Sequence, residues 1–576
     1  MQALIQYGAF LLLLTLLVKP LGGYMARVFQ GQRTFLDPVL KPVERLLYRI
    51  TAVDDQQEMD WKEYAVSFVL FGLCGTVFLY GILRLQRFLP WFYPTYQNAP
   101  LTQDLAMNTA ISFSTTTTWQ AYSGETTMSY FSQMAGLTAQ NFLAGAAGLA
   151  VGMAFIRGLA RQMTDKLGNF WVDLARAMLW VLLPLALAGA LVLVWQGVPM
   201  NFHPYTEVTT VEGARQTIAQ GPVAALEIIK NLGTNGGGFF NANGAHPYEN
   251  PTPLTNLIAM LAIALLPAAF TNTFGRMIGN PRQGWMLYAV MTVLFVTGLG
   301  VCGWSEQQGN RILAKQAHVQ ARSTADQAGG NMEGKEVRFG IAQSVLTAVV
   351  TSNGATGSYN SMHDSYTPLG GAMLLVNMLL GEIVYGGLGT GLYSIILIAL
   401  LGLLLAGLMV GRTPQYLGKT IGPSEAKMLT LYVLAGPMAI LPFTAIAVVT
   451  QAGLAGLTTN TGAHGFTEII FAFASCMANN GQSFAGLNAN TPFYNLTTAM
   501  AMMVGRFGLA IPALALAGLF AGQSRRYGGI GTIPTDTIVF ALLLLATALI
   551  VCGLSFFPAL TLGPVLEHLA GFRPLA

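Results

Sequence analysis

The sequence predicts an all-α polytopic membrane protein. It should have about ten transmembrane helices: four pseudo-symmetric repeats of span, pore helix, filter loop and span around one pore, with one extra helix at each end. Three observations predict this. Of 576 residues, 53% are hydrophobic and only 9% charged, whereas a soluble domain carries about 25% charged residues; mean hydropathy is +0.52. Ten stretches approach or exceed the ~20 apolar residues that a helix needs to cross a bilayer. Four short polar turns each follow an apolar run between two of those stretches. Counted from Thr118 through Gly236 and Gly354 to Gly481, they recur at steps of 118, 118 and 127 residues.

The expected spans are 3–23, 64–83, 129–155, 174–195, 254–274, 284–301, 369–408, 428–449, 496–519 and 538–557. The first contains the apolar run 4–18. It lacks a basic leader and a small-residue cleavage site, so it is expected to be a retained helix rather than a signal peptide. The seventh is twice the needed length and is interrupted by Gly386, Gly387, Gly389 and Gly391, so it is expected to be broken. The chain then divides into an N-terminal helix and loop (1–63), repeats at 64–166, 167–282, 283–427 and 428–526, and a C-terminal helix (527–576).

The loops after the odd-numbered spans hold seventeen lysines and arginines, Arg412 and Arg526 among them. The other side holds ten, including Arg322 and Arg573, and five of the ten lie in the long loop 304–338. The positive-inside rule puts the first set in the cytoplasm, which leaves both termini outside. The four turns follow spans 2, 4, 6 and 8 and so share the outer face, as one pore requires. The net charge of +4 is small and spread over loops, which argues against a nucleic-acid partner. Cys74, Cys302, Cys476 and Cys552 form no CxxC pair and read as core or lipid-facing residues.

The turns carry the chemistry. Their candidate potassium ligands are Thr115, Thr116, Thr117 and Thr118; Thr234, Asn235, Gly236 and Gly237; Ser352, Asn353 and Gly354; and Asn479, Asn480 and Gly481. Non-helical backbone at membrane depth is tolerated only when buried in protein or lining a watery cavity. Rings of carbonyls are how proteins replace potassium's hydration shell. The runs 223–232, 339–346 and 466–471, which enter three of the turns, are too short to span and fit re-entrant helices. A helix directed inward points its partial negative end at the membrane centre, favouring a cation there. Glycine allows positive φ and a close approach of backbone to the ion. The competing reading, ordinary extracellular turns, does not account for four at near-constant spacing. The symmetry is imperfect, since the first turn has four threonines and no glycine.

Three further features stand near the turns. Gln120 follows the first turn, as a brace for the filter or as a plain loop amide. Arg506 lies inside the ninth span, either as a fixed charge below the filter or paired with a carboxylate such as Glu382. The glycine break reads as a gate or as close helix packing. Other patterns carry no function. His363-Asp364-Ser365 cannot build a triad from adjacent residues. Gly387-Leu388-Gly389-Thr390-Gly391 has no preceding soluble strand. There is no Walker A sequence, and Asp165-Lys166-Leu167-Gly168 is not a phosphorylation motif.

Several longer signatures carry a resemblance. They are Leu232 through Asn243, His246-Pro247-Tyr248-Glu249-Asn250-Pro251, Trp119 through Glu125, Met362-His363-Asp364-Ser365, Gly411-Arg412-Thr413-Pro414-Gln415-Tyr416-Leu417-Gly418 and Asn479-Asn480-Gly481. Together they resemble the potassium-binding A subunits of the bacterial Kdp potassium-transporting P-type ATPases, over essentially the whole chain. The resemblance implies a channel-like subunit of the superfamily of potassium transporters in the bacterial inner membrane. It implies K+ as the transported ion, and as partners a P-type ATPase catalytic B subunit, a single-span C subunit and a small F subunit. It maps the filter glycines to Gly236, Gly354 and Gly481, with the first-repeat threonines opposite, and puts Gln120 near the filter and Arg506 below it. The expected function is selective potassium binding from outside and delivery to an ATP-hydrolysing partner, with no ATP site in this chain. The alternative is a self-sufficient potassium channel or ion-coupled symporter of the same superfamily.

Overall fold

The computed structural model describes residues 2–89, 101–316, 318–321, 323–324, 327–411, 413–525 and 533–571. Arg322, Arg412, Arg526 and Arg573 lie outside the described residues. Among those described, ten helices are long and apolar enough to cross a membrane. They run Ala3–Phe29, Trp61–Phe88, Ser132–Ala160, Phe170–Trp195, Pro253–Met277, Pro281–Lys315, Thr390–Val410, Pro423–Val449, Pro492–Gly522 and Ile538–Ala570. Each of the ten expected spans has its counterpart.

Between the two spans of every repeat lies a shorter helix: Gln103–Ser114, Val223–Leu232, Gly340–Asn353 and Gly462–Met477. These are the four pore helices, including a first one that no apolar run in the sequence delimits. In each repeat the span after the pore helix is the more buried. The buried share is 89% against 33% in the first repeat and 61% against 28% in the fourth. The second spans therefore surround the axis and the first spans face outward. The two extra helices sit outside this core: Ala3–Phe29 lies along the inner span Pro253–Met277, and Ile538–Ala570 along Thr390–Val410.

Local chemistry sets where the inner spans begin. In repeats two to four each starts at a Thr-Pro pair: Thr252-Pro253, Thr367-Pro368 and Thr491-Pro492. The threonine hydroxyl accepts a backbone N–H of the first turn, at 3.2 Å from Thr255, 3.2 Å from Gly370 and 3.3 Å from Tyr494. Proline at the first helical position gives up an N–H that would have no partner there anyway.

The seventh span is broken, and earlier than the glycines alone indicate. A helix Pro368–Leu379 stops and a second begins at Thr390. Between them Gly381, Glu382, Tyr385 and Gly389 all have positive φ, so ten residues of irregular backbone cross the protein interior. All four cysteines are free; Cys74 is exposed and the others are buried. A two-stranded ribbon, Thr206–Thr209 paired with Arg215–Ile218, decorates the loop before the second pore helix.

Candidate ion site

All four pore helices end in the same way. The second residue past each helix takes a left-handed conformation although none is glycine: Thr116, Thr234, Ala355 and Asn479, with φ of 67°, 49°, 48° and 52°. In the last three repeats the next amide reaches back to the final turn. Asn235 N bonds Lys230 O at 2.9 Å, Thr356 N bonds Thr351 O at 3.3 Å, and Asn480 N bonds Ser475 O at 2.9 Å. This is the six-to-one closure of a Schellman motif. In the first repeat the closure slips by one residue, and Thr118 N bonds Ser112 O at 3.0 Å. Positive φ at β-branched threonine is strained, at about 1–3 kcal/mol each, and such strain persists where surrounding structure enforces it.

Superposing the motifs sets the register of the four turns. Thr118, Gly236, Gly357 and Gly481 are equivalent, two residues beyond the left-handed position. This corrects the expectation for the third repeat. Gly354 caps the pore helix with φ −83°, and Ser352 and Asn353 are its last two residues. Asn353 donates to Val349 O at 2.9 Å, and Ser352 accepts from Asn377 at 2.9 Å. The repeat glycine is Gly357.

The four turns meet edge to edge. Gly357 N donates to Asn235 O at 3.0 Å, and Gly236 and Gly357 pair as a parallel bridge. A Cβ on Gly236 would stand 2.6 Å from Gly357 Cα, and one on Gly357 2.9 Å from the carbonyl carbon of Gly481. One on Gly481 would stand 3.2 Å from the carbonyl carbon of Thr117, and one on Gly237 3.2 Å from Thr118 Cβ. The ring thus closes from the second repeat through the third and fourth to the first and back.

Side chains tie the ring in place. Gln120 holds Gly238 at both ends, accepting from its N–H at 2.8 Å and donating to its carbonyl at 3.1 Å. Asn141 of the first inner span donates to Gly236 O at 3.2 Å. Asn479 donates to Thr117 Oγ1 at 2.9 Å and to Met502 O at 3.0 Å. Asn480 reaches back to Thr351 O at 3.1 Å. The Thr351 hydroxyl in turn donates to the carbonyl of Thr356.

Beneath the ring is a void that opens only about 10 Å³ to a water-sized sphere, room for about one water. The four left-handed residues Thr116, Thr234, Ala355 and Asn479 line it, with Arg506, Glu382 and Gly387. Arg506 sits in a π-turn, Val504–Gly508, of the last inner span. Its guanidinium donates to Thr116 Oγ1 at 3.2 Å and to Ala144 O at 2.7 Å, and lies 5.2 Å from the Phe68 ring centre. Of the two readings open for Arg506, a direct ion pair with Glu382 is not present among the described residues; the two side chains face one void. Glu382 is buried with one carboxylate oxygen unpartnered.

The irregular segment of the seventh span closes this void from the side. Leu388 N donates to Thr234 Oγ1 at 2.7 Å. Gly389 abuts the backbone of Gly148, and a Cβ on Gly152 would stand 2.8 Å from Gly389 Cα. A Cβ on Gly387 would stand 3.0 Å from Glu382 Oε2, and one on Gly386 would strike the carbonyl of Glu382. The glycines therefore permit close backbone packing, and the segment they form is bonded directly to the second turn.

Above the ring a vestibule of about 470 Å³ opens between Trp119, Gln120, Asn241, Tyr359, Ser361 and Gly481, among others. Of the residues this arrangement uses, Thr356, Gly357, Asn141 and Leu388 do not stand out in the sequence. A signal for the third glycine was present: Gly357 and Gly481 each precede the Thr of a Thr-Pro pair, Thr367 and Thr491, by ten residues.

The family model of KdpA, the potassium-transporting ATPase A subunit, matches residues 8–569. The "Potassium-transporting ATPase potassium-binding subunit" of a Methylorubrum extorquens strain is 54% identical over 565 residues, covering 98% of this chain and 96% of its own. The protein of the same name from Bradyrhizobium diazoefficiens is 52% identical over 566 residues, 98% of each chain. Among solved structures, the potassium transporter TrkH from Vibrio parahaemolyticus matches at 14% identity and a TM-score of 0.49, over 78% of this chain and 82% of that one. This chain belongs to the family of potassium-transporting ATPase A subunits.

Proposed function

We propose that this chain binds potassium from the outer side of the bacterial inner membrane in the ring of four turns, and passes it to a P-type ATPase partner. The observation that carries the reading is the ring itself: four backbone turns, buried and in mutual contact, at the converging C-terminal ends of four pore helices. Each helix end contributes about half a negative elementary charge. Carbonyl oxygens have two lone pairs, so those of Asn235 and Gly236, with one donor each, keep capacity for an ion. The ligand set includes Thr115, Thr116, Thr117 and Thr118, then Thr234, Asn235, Gly236 and Gly237. Thr356 and Gly357 extend it in the third repeat, beside the cap formed by Ser352, Asn353 and Gly354. Asn479, Asn480 and Gly481 complete it.

Gln120 and Asn141 hold the ring's shape. Arg506, Glu382 and the segment around Gly386, Gly387 and Gly389 control what happens to the ion below it. Both termini face outward in this reading, and the four repeats at 64–166, 167–282, 283–427 and 428–526 are the functional units. The family name supports an ATPase complex; we extend it to a catalytic B subunit, a single-span C subunit and a small F subunit. The test is to purify the chain in gentle detergent from its own host and identify what accompanies it. An ATPase partner in fixed ratio, whose hydrolysis potassium stimulates, is the expected result. A monodisperse lone chain that conducts potassium would overturn the hand-off.

A further inference from the structure

Outside the ring, three potential ligands meet where the third and fourth repeats adjoin. Asp364 lies in the one-turn helix His363–Ser365. His464 and Glu468 lie four residues apart in the pore helix Gly462–Met477, hence on one face. One donor atom of each lies within 4.8 Å of the other two. His464 Nε2 is 2.9 Å from Asp364 Oδ1 and 3.9 Å from Glu468 Oε1. Donors about 2.1 Å from a common ion can be at most about 4.2 Å apart, so these two separations already fit one cation.

Two further observations point to a ligand. The Glu468 side chain is fully buried, yet its Oε2 has no partner. A buried carboxylate oxygen without a donor is destabilising by about 1–3 kcal/mol or more. The other nitrogen of the imidazole is also held: His464 Nδ1 lies 2.9 Å from Glu567 Oε1. Carboxylate on one imidazole nitrogen and ligand on the other is how metal-binding histidines are oriented. Nε2 likewise faces a carboxylate, Asp364 Oδ1 at 2.9 Å, so a metal at Nε2 would replace the proton those two atoms share. The charge balance agrees. Three carboxylates surround one imidazole, Glu333 stands nearby, and Lys335 is committed to Glu306 at 2.8 Å.

We propose that Asp364, His464 and Glu468 bind a divalent transition metal of the zinc class, with Glu567 orienting the imidazole, and that the metal clamps the third-repeat loop to the fourth pore helix. One imidazole and two carboxylates, with an open position for water, suit Zn2+. The site is independent of the potassium reading.

The experiment uses the full chain with its partners in detergent, in a Cys74→Ser background that removes the exposed thiol, stripped with a chelator. Zn2+ is titrated against a chromophoric competitor, and thermal unfolding is followed with and without Zn2+. The expected result is one equivalent bound per chain with a raised unfolding temperature. His464→Gln and Glu468→Gln should each lose at least tenfold in affinity and lose the thermal shift, while Glu567→Gln should weaken binding about tenfold without abolishing it. Absence of stoichiometric Zn2+ binding overturns the proposal, as does binding unchanged in His464→Gln and Glu468→Gln. If those variants do not purify monodisperse, unchanged affinity in Glu567→Gln overturns it instead. Potassium-stimulated hydrolysis is measured in parallel, so failure of the metal site is distinguishable from failure of the filter.

Discussion

Replacing Gly236 by alanine tests the ring where its second and third turns meet. Gly236 has φ +107°, a conformation that residues with a Cβ rarely adopt. Its added methyl would stand 2.6 Å from Gly357 Cα, with that residue's amide closer still. The clash is backbone against backbone, so no side-chain rotation relieves it. Backbone strain of about 1–3 kcal/mol and overpacking of about 1–3 kcal/mol both act, and partial relaxation leaves about 2 kcal/mol. If the turn relaxes by moving its carbonyls off the ion, that loss appears in binding, where 2 kcal/mol is about 30-fold. The assay is potassium- and rubidium-stimulated ATP hydrolysis by the reconstituted complex, with the potassium half-saturation expected to rise about 30-fold and discrimination against rubidium to fall. Gly197→Ala is the control. Gly197 has φ +98° but nothing within 4 Å of the added methyl, so it should cost stability without moving the half-saturation. A monodisperse Gly236→Ala variant with half-saturation within twofold of the parent would refute the ring as the binding site.

The other predictions follow from single contacts. Gln120→Ala removes both bonds to Gly238 and should weaken potassium half-saturation by about tenfold, from net losses near 0.5–1.5 kcal/mol each; an unchanged titration would make Gln120 a plain loop residue. Thr234→Val leaves the buried Leu388 N–H without its acceptor, about 1–3 kcal/mol, and should loosen the irregular segment. Potassium leak into vesicles without ATP is the readout, and a leak equal to the parent's counts against gating there. Arg506→Gln should keep half-saturation within a few-fold while lowering potassium moved per ATP, because a fixed charge about 8 Å from the ion repels it by about 2 kcal/mol at an effective dielectric of 20. Normal stoichiometry without leak would make Arg506 structural only. The isolated chain should bind no ATP, and specific photolabelling of the pure protein by an ATP analogue would overturn that.

The ten spans were legible because each is a long apolar run, and composition alone marks such runs. The glycines at 236 and 481 were legible because both sit where the chain needs positive φ. The third repeat misled for a physical reason. Asn353-Gly354 imitates the Asn-Gly of the second repeat in sequence, but its asparagine still belongs to the pore helix and its glycine caps it. The left-handed residue there is Ala355, which no glycine-seeking rule would find. With Gly357 in register the steps from Thr118 become 118, 121 and 124, more even than those counted through Gly354. The bracing by Asn141 and the contact of Leu388 with Thr234 join residues 95 and 154 positions apart. Long-range contacts of that kind leave no local pattern to read.

The surroundings of Arg506 bear on the two readings the sequence left open, a fixed charge below the filter or a pair with a carboxylate such as Glu382. An arginine taken out of water needs compensating negative charge. Four pore helices aim their C-terminal ends at the void, together worth about two elementary negative charges. Arg506 bonds the hydroxyl of Thr116, just past one of those ends, and the carbonyl of Ala144 in the first inner span. The helix ends serve as its counter-charge. The same arithmetic separates two levels along the axis. In the ring, the field of the four ends acts on an entering cation with little opposition. In the void, the guanidinium cancels about half of that field and occupies the space. In the proposed reading a cation is therefore held most strongly in the ring, and the step below it is uphill unless the irregular segment or a partner opens another way out.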